Sequence, residues 1–84
     1  MSFIDNPRHR HLFERGEAAA SLRVSLEEAH GLPSLDDPAD DAFLGGSLAL
    51  GFDASSFEVS VYQAGFVSHY KRLQARLHPE EDNQ

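Results

Sequence analysis

The stretch from Ser55 to Leu77, SSFEVSVYQAGFVSHYKRLQARL, decides the fold class. Its apolar residues recur at steps of three and four, which places them on one face of an α-helix; they are Val59, Tyr62, Phe66, Tyr70, Leu73 and Leu77. Ser55 and Glu58 have the spacing of a capping box, in which each side chain bonds to the backbone N–H of the other residue. Pro79 cannot continue a helix. The stretch therefore predicts a long C-terminal helix that ends at about His78.

An earlier helical region is marked at both of its ends. Asn6 is a favourable N-cap residue, and Pro7 suits the first helical position. Gly31, followed two residues later by Pro33, is typical of a helix C-terminus. Gly16 is a poor helix former near the middle, so the region could consist of one helix or of two shorter ones.

A middle helix is predicted between Asp37-Pro38 and Gly51. Asp37 can cap the helix, and Pro38 fits its first turn. Gly45-Gly46 would let a neighbouring helix approach closely, or would instead form a two-residue hairpin turn. Apolar residues surround the helix on nearly all sides, which is typical of a central buried element; they are Ala42, Phe43, Leu44, Leu48, Ala49 and Leu50.

These signals together predict an all-α fold, a small three-helix bundle with a long C-terminal helix. Residues 1–78 would form a single helical domain, and residues 79–84 a disordered acidic tail. An α+β fold is the alternative, because apolar residues also alternate in residues 22–26, 48–52 and 57–61, as they do in half-buried strands. That fold would have a short antiparallel sheet and a C-terminal helix from about Ala64, so residues 47–62 could be strand or helix.

Composition narrows the function classes. The chain has 84 residues, a formal net charge of −7 and no Cys, which excludes disulfides and thiolate zinc sites. Such a charge disfavours direct contact with nucleic acid or with an anionic membrane. Neither a signal peptide nor a membrane-spanning stretch is recognisable, so a soluble, cytoplasmic protein is expected. We assign no catalytic residue, no metal ligand and no cofactor.

Charge is distributed very unevenly along the chain. No Lys or Arg lies between Val24 and Tyr70, and all the cations lie at Arg8, Arg10, Arg15, Arg23, Lys71, Arg72 and Arg76. The window carries eight carboxylates: Glu27, Glu28, Asp36, Asp37, Asp40, Asp41, Asp53 and Glu58. Such a run predicts an acidic face that binds a basic protein partner. The leading hypothesis is therefore a non-catalytic binding module, for example an inhibitor or antitoxin that occupies a nucleic-acid-binding surface. Its aromatic anchors would come from Phe52, Phe57, Tyr62 and Tyr70.

Two other hypotheses remain. In the first, the protein is a self-associating structural or regulatory module, with a homodimer seam on the third helix made by Tyr62, Phe66, Tyr70, Leu73 and Leu77. In the second, a metal-dependent enzyme uses the cluster from Asp36 to Asp41, whose Asp-Asp-x-x-Asp spacing could hold Mg²⁺ against a diphosphate. The histidines favour a basic surface patch over a metal site, because arginines flank His9 and His11.

Overall fold

A computed structural model of the protein describes residues 7–51 and 53–77, which form three helices: α1 (Pro7–His30), α2 (Pro38–Leu50) and α3 (Ser56–Leu77). The all-α prediction is confirmed, and the residues within these ranges include no strand. α1 continues through Gly16, so it is one helix and not two. Asn6, Phe52, His78, Pro79 and the tail of residues 79–84 lie outside the described residues.

The N-terminal ends of α2 and α3 are capped as the sequence predicts. The Ser55 hydroxyl accepts a hydrogen bond from the backbone N–H of Glu58 at 3.1 Å, and the Ser55 N–H donates to the Glu58 carboxylate at 2.9 Å. Asp37 caps α2, since its side chain accepts from the N–H of Asp40 at 3.3 Å. These bonds satisfy backbone donors that no helix can pair internally, which fixes where α2 and α3 begin.

The C-terminal ends of α1 and α2 depend on glycines with positive φ. Gly31 has φ 66°, and just beyond it the N–H of Leu32 donates back to the Glu27 carbonyl at 3.0 Å. Gly51 has φ 87°, and its N–H donates to the Ser47 carbonyl at 3.1 Å. A side chain at either position would be strained in this left-handed region, so glycine sets both ends.

The helices form an up-down-up bundle. α1 and α3 run in parallel, since Arg8 near the start of α1 pairs with Glu58 near the start of α3. α2 runs antiparallel to both of them. Its first turn lies beside the middle of α3, where the Gln63 side-chain amide donates to the Ala39 carbonyl at 2.6 Å. α1 and α3 span about 36 Å and 33 Å at the usual rise per residue. Because their lengths are similar, the end of α3 at Leu77 lies beside the end of α1, near Glu28 and Leu32.

α1 and α3 approach closely at two glycines. A Cβ atom on Gly16 would collide with the backbone carbonyl oxygen of Tyr62, and one on Gly65 would collide with that of Phe13. The backbones of α1 and α3 are in direct contact at this crossing, because glycine has no side chain to separate them. Gly16, which weakens α1 in isolation, is therefore a packing residue of the bundle.

α3 is the central element, and this corrects the prediction that α2 is. Most buried apolar side chains belong to α3, and the buried set is Leu12, Ala20, Val24, Ala42, Val59, Val61, Tyr62, Phe66 and Tyr70. Val59 and Val61 are both buried because α3 packs against α1 and α2 on different sides, which explains the alternation that resembled a strand. α2 buries only the small residues Ala42 and Gly46. None of the described helices is long and apolar enough to cross a membrane.

Candidate binding surface

The outward face of α2 is apolar. Ala42 and Gly46, one turn apart, face the rest of the bundle, and a Cβ atom on Gly46 would lie 3.0 Å from the Tyr62 ring. The large apolar side chains of the same helix point away from α3: Leu48 is 86% exposed, Leu44 57% and Phe43 51%. Three large apolar residues on one short helix are thereby left in contact with water.

Four carboxylates lie at the N-terminal end of this face. Asp40 and Asp41 are exposed and precede Leu44 by four and three residues, so they continue the same stripe along the helix. Asp36 and Asp37 lie in the preceding turn and are exposed as well. We call the set of Asp36, Asp37, Asp40, Asp41, Phe43, Leu44 and Leu48 the α2 surface.

The four aspartates of the α2 surface carry uncompensated charge. Within the described residues, ion pairs join Arg8 to Glu58 and Arg23 to Glu27, and none reaches the four aspartates. The positive end of the α2 dipole stabilises carboxylates at this position without neutralising them. The α2 surface is therefore apolar in its middle and negative at its N-terminal end.

Cations lie at the opposite end of α2. A cleft of about 300 Å³ separates the last turn of α2 from the first turns of α1, and it is lined by Arg8, His11, Leu12, Arg15, Ala49, Leu50, Asp53, Ala54 and Glu58. Arg15 is exposed, and its guanidinium lies 3.5 Å from the Ala49 carbonyl. The cleft also holds the carboxylates of Asp53 and Glu58, so charges of both signs lie at this end of α2.

A buried carboxylate anchors the loop that leads into α2. Glu27 is only 7% exposed, yet three side chains donate to it. The Tyr70 hydroxyl donates at 2.6 Å, the Gln74 amide at 2.9 Å and the Arg23 guanidinium at 2.9 Å. Buried charge is costly unless it is paired and hydrogen-bonded, and Glu27 meets both conditions.

The same side chains hold residues 33–35. The Tyr70 hydroxyl accepts from the N–H of Leu35 at 2.8 Å, and Arg23 donates to the Pro33 carbonyl at 3.0 Å. Ser34 donates to the Gln74 amide oxygen at 3.2 Å. The loop is tied to α1 and α3 immediately before Asp36, so this network positions the carboxylates of the α2 surface.

The network shifts two pKa values in opposite directions. Burial raises the pKa of Glu27, but the hydrogen bonds from Tyr70, Arg23 and Gln74 outweigh it, and the pKa lies below its ordinary value of 4.5. Burial and the neighbouring Glu27 carboxylate raise the pKa of Tyr70 above its ordinary value of 10.0. Glu27 is therefore ionised and Tyr70 protonated at neutral pH.

The eight acids predicted to form one face lie in separate places. Asp36, Asp37, Asp40 and Asp41 belong to the α2 surface, and Glu28 is exposed on α1. Glu27 is buried, which corrects its expected contact with a partner, because its oxygens already bond inside the chain. Asp53 and Glu58 line the cleft. Bonds from the Ser55 N–H and from Arg8 lower the pKa of Glu58.

Most residues of the proposed α3 seam are inside the bundle. Tyr62, Phe66 and Tyr70 are buried, and the last two rings stack with their centroids 5.7 Å apart. This corrects their expected role as exposed anchors or as a dimer seam, since a ring enclosed by its own chain cannot meet a partner. Leu73 is half-buried, and Leu77 is 42% exposed. Phe57, another expected anchor, is exposed and packs edge-on against His9.

Sequence reasoning did not single out the apolar part of the α2 surface. Phe43, Leu44 and Leu48 were expected in the core, because they surround a helix that is apolar overall. The sequence signal that could have revealed this face is the pair of small residues Ala42 and Gly46. Small residues one turn apart indicate a face that packs closely on another helix, and the large residues then lie on the opposite face.

One further pair of polar residues joins α1 to α3. The Ser21 hydroxyl and His69 Nε2 lie 3.0 Å apart, and His69 Nδ1 is buried without a hydrogen-bond partner among the described residues. A serine nucleophile needs a base whose second nitrogen is held by a carboxylate. The geometry of this pair therefore gives no support to hydrolysis. In the described part of the chain, no three His, Asp or Glu side chains converge on a metal position.

Comparisons with protein-family models, with curated proteins and with solved structures gave no match to the chain.

Proposed function

We propose that the protein is a non-catalytic binding module that receives a basic, amphipathic segment of a partner protein on its α2 surface. The observation that carries this proposal is the 86% exposure of Leu48 on a helix whose N-terminal end presents four carboxylates. Contiguous exposed apolar residues with a polar rim mark interaction sites. The carboxylates of that rim would select positive charge.

The chemistry of the partner follows from the order of these groups along α2. Leu44 and Leu48, one turn apart, fit the apolar stripe of a second helix, as in other helix-on-helix recognition. Asp40 and Asp41 precede them on the same stripe and would face Lys or Arg of the partner. Because these carboxylates are exposed, they would act mainly on the rate of association and on specificity, and binding should weaken with salt.

A pair of model peptides tests the proposal. One carries Leu on one helical face and Lys on the other, and its control carries Glu in place of Lys. We expect the fluorescently labelled cationic peptide to bind at low salt and the anionic peptide not to bind. Equal binding of both peptides, or of neither, would contradict the proposed surface.

Variants then locate the site. Changing Asp36, Asp37, Asp40 and Asp41 to Asn should weaken cationic-peptide binding about tenfold, since exposed charge pairs contribute about 0.2–1 kcal/mol each. Asn caps a helix as well as Asp does, so α2 should keep its first turn. Unchanged affinity in this variant would remove the carboxylates from the mechanism. The inhibitor or antitoxin role and the cytoplasmic location stay predictions.

A further inference from the structure

A groove of about 290 Å³ continues the α2 surface at its C-terminal end. It lies between the last turn of α2 and the start of α3, and its described lining is Ser47, Leu48, Gly51, Ala54 and Val59. Val59 is 6% exposed and forms the floor, whereas Leu48 is 86% exposed and forms the outer wall. We call these five residues the α2–α3 groove. Because Leu48 also belongs to the α2 surface, a partner that covers that surface reaches the groove.

The α2–α3 groove suits an apolar group. None of its described lining residues is charged, whereas the cleft beside Arg15 holds charges of both signs. Backbone groups along the groove are already paired, since the Gly51 N–H donates to the Ser47 carbonyl at 3.1 Å and the Ala54 N–H donates to the Gly51 carbonyl at 3.2 Å. An apolar side chain can therefore cover these groups without leaving them buried and unpaired.

We propose that the α2–α3 groove receives one large apolar side chain of the partner segment, two helical turns away from a cation that faces Asp40 or Asp41. This inference rests on the proposed function of the α2 surface and adds the site that fixes the register of its partner. Asp40 and Ser47 are seven residues apart, as are Asp41 and Leu48, which corresponds to about 10.5 Å along α2. A partner helix that lies along α2 covers this distance in seven residues as well, whichever way it runs.

The volume of the α2–α3 groove limits what it accepts. Pockets for small molecules occupy about 300–1,000 Å³, so a groove of about 290 Å³ lies at the lower limit and fits one aromatic or aliphatic side chain. A side chain enclosed in a pocket contributes more to binding than the open contacts around it. The carboxylates therefore select cationic segments, and the groove selects among these segments by the position of the large apolar residue.

Two helical peptides of identical composition test this register. Both carry alanine along the contact face, a pair of Lys and a single Phe, which lies two turns from the Lys pair in one peptide and one turn from it in the other. We expect the two-turn peptide to bind at least about tenfold more tightly in fluorescence anisotropy, because only its Phe reaches the α2–α3 groove. Charge and hydrophobicity are the same in both peptides, so equal affinity, or tighter binding of the one-turn peptide, would overturn the proposal.

Variants that fill the α2–α3 groove locate the Phe of the peptide. Ala54→Leu and Ser47→Leu each add a larger side chain at the groove, and each should lower the affinity for the two-turn peptide to that for the one-turn peptide. Ala29→Leu, the same change as Ala54→Leu at an exposed alanine of α1, should change neither affinity. Circular dichroism identifies the variants that keep the helical fold. An undiminished preference for the two-turn peptide in a folded groove variant would overturn the proposal.

Comparison with the peptide of Leu and Lys faces separates this inference from the proposed function. Binding of that peptide, without a preference between the two positions of Phe, would overturn the register alone. Failure of all three cationic peptides to bind would overturn both the register and the proposed function of the α2 surface.

Discussion

At the scale of single residues, Glu27 determines how the acidic loop is held. It accepts from Tyr70, Gln74 and Arg23, and these three residues in turn hold residues 33–35. Sequence pattern placed Glu27 among the exposed acids because it lies in a run without cations. Burial came from the tertiary fold, which brings the end of α3 over the end of α1, and the local sequence carries no sign of that contact.

Glu27→Gln should destabilise the protein by about 1–3 kcal/mol, because the amide adds donors where Tyr70 and Arg23 already donate. Urea denaturation measures the loss. Glu28→Gln is the matched control, since Glu28 is adjacent and exposed, and it should change stability by less than about 0.5 kcal/mol. Equal effects of the two changes would show that the network contributes nothing.

The pKa of Glu27 also predicts a pH dependence. A carboxyl whose folded-state pKa is lowered stabilises the fold fully above its ordinary value, here 4.5, and this contribution is lost as pH falls through the folded-state pKa. The stability difference between wild type and Glu27→Gln should therefore be constant near neutral pH and shrink below about pH 4.5. Urea titrations at several pH values measure this stability difference. A difference that grows on acidification would contradict the predicted direction of the pKa shift.

At the scale of helices, the glycines decide how closely the elements pack. A Cβ at Gly16 meets the backbone of α3, whereas one at Gly45 has only the Tyr62 hydroxyl within reach, at 3.9 Å. The same substitution should therefore have opposite effects at the two positions, although both glycines lie within helices.

Gly16→Ala should destabilise the bundle by about 1–3 kcal/mol or more, since backbone cannot move aside as a side chain can. Gly45→Ala should stabilise it by up to about 1 kcal/mol, because alanine is the better helix former and space is available. Thermal denaturation followed by circular dichroism measures both. A stabilised Gly16→Ala variant would contradict the close crossing of α1 and α3.

Helix ends were predictable from sequence, and helix faces less so. Caps such as Asp37, Ser55 and Gly51 act through local hydrogen bonds and backbone geometry, so a few neighbouring residues suffice to identify them. The choice of the central helix depends on which faces meet, and this is set by small residues such as Ala42 and Gly46. The number of large apolar residues in α2 therefore favoured it as the core helix, although α2 exposes most of those residues to solvent.

At the scale of the whole molecule, the fold distinguishes carboxylates that are paired within the chain from carboxylates that are exposed to a partner. Glu27 and Glu58 pair with Arg23 and Arg8 inside the chain. The four aspartates before and within the first turn of α2 remain exposed beside an apolar face. The uneven charge of the sequence predicted available acids, but only the fold shows which ones lie next to exposed leucines.

Leu48→Gln tests whether the apolar part of the α2 surface binds a partner or packs inside the bundle. Because Leu48 is 86% exposed, we expect its replacement to change the free energy of unfolding by less than about 1 kcal/mol. Binding of the cationic peptide should nevertheless fall about tenfold or more, as for a residue at the centre of an interface. A large loss of stability would instead place Leu48 in the core and contradict the exposed face.

The most direct measurement is a two-dimensional ¹H–¹⁵N NMR titration of the protein with the cationic amphipathic peptide, which reports the position of contact residue by residue. We expect the largest shifts on amides of residues 36–48, with little change at the C-terminal end of α3 around Leu77. Shifts confined to that end of α3, or an unperturbed α2 at saturating peptide, would contradict the assignment of the α2 surface as the binding site.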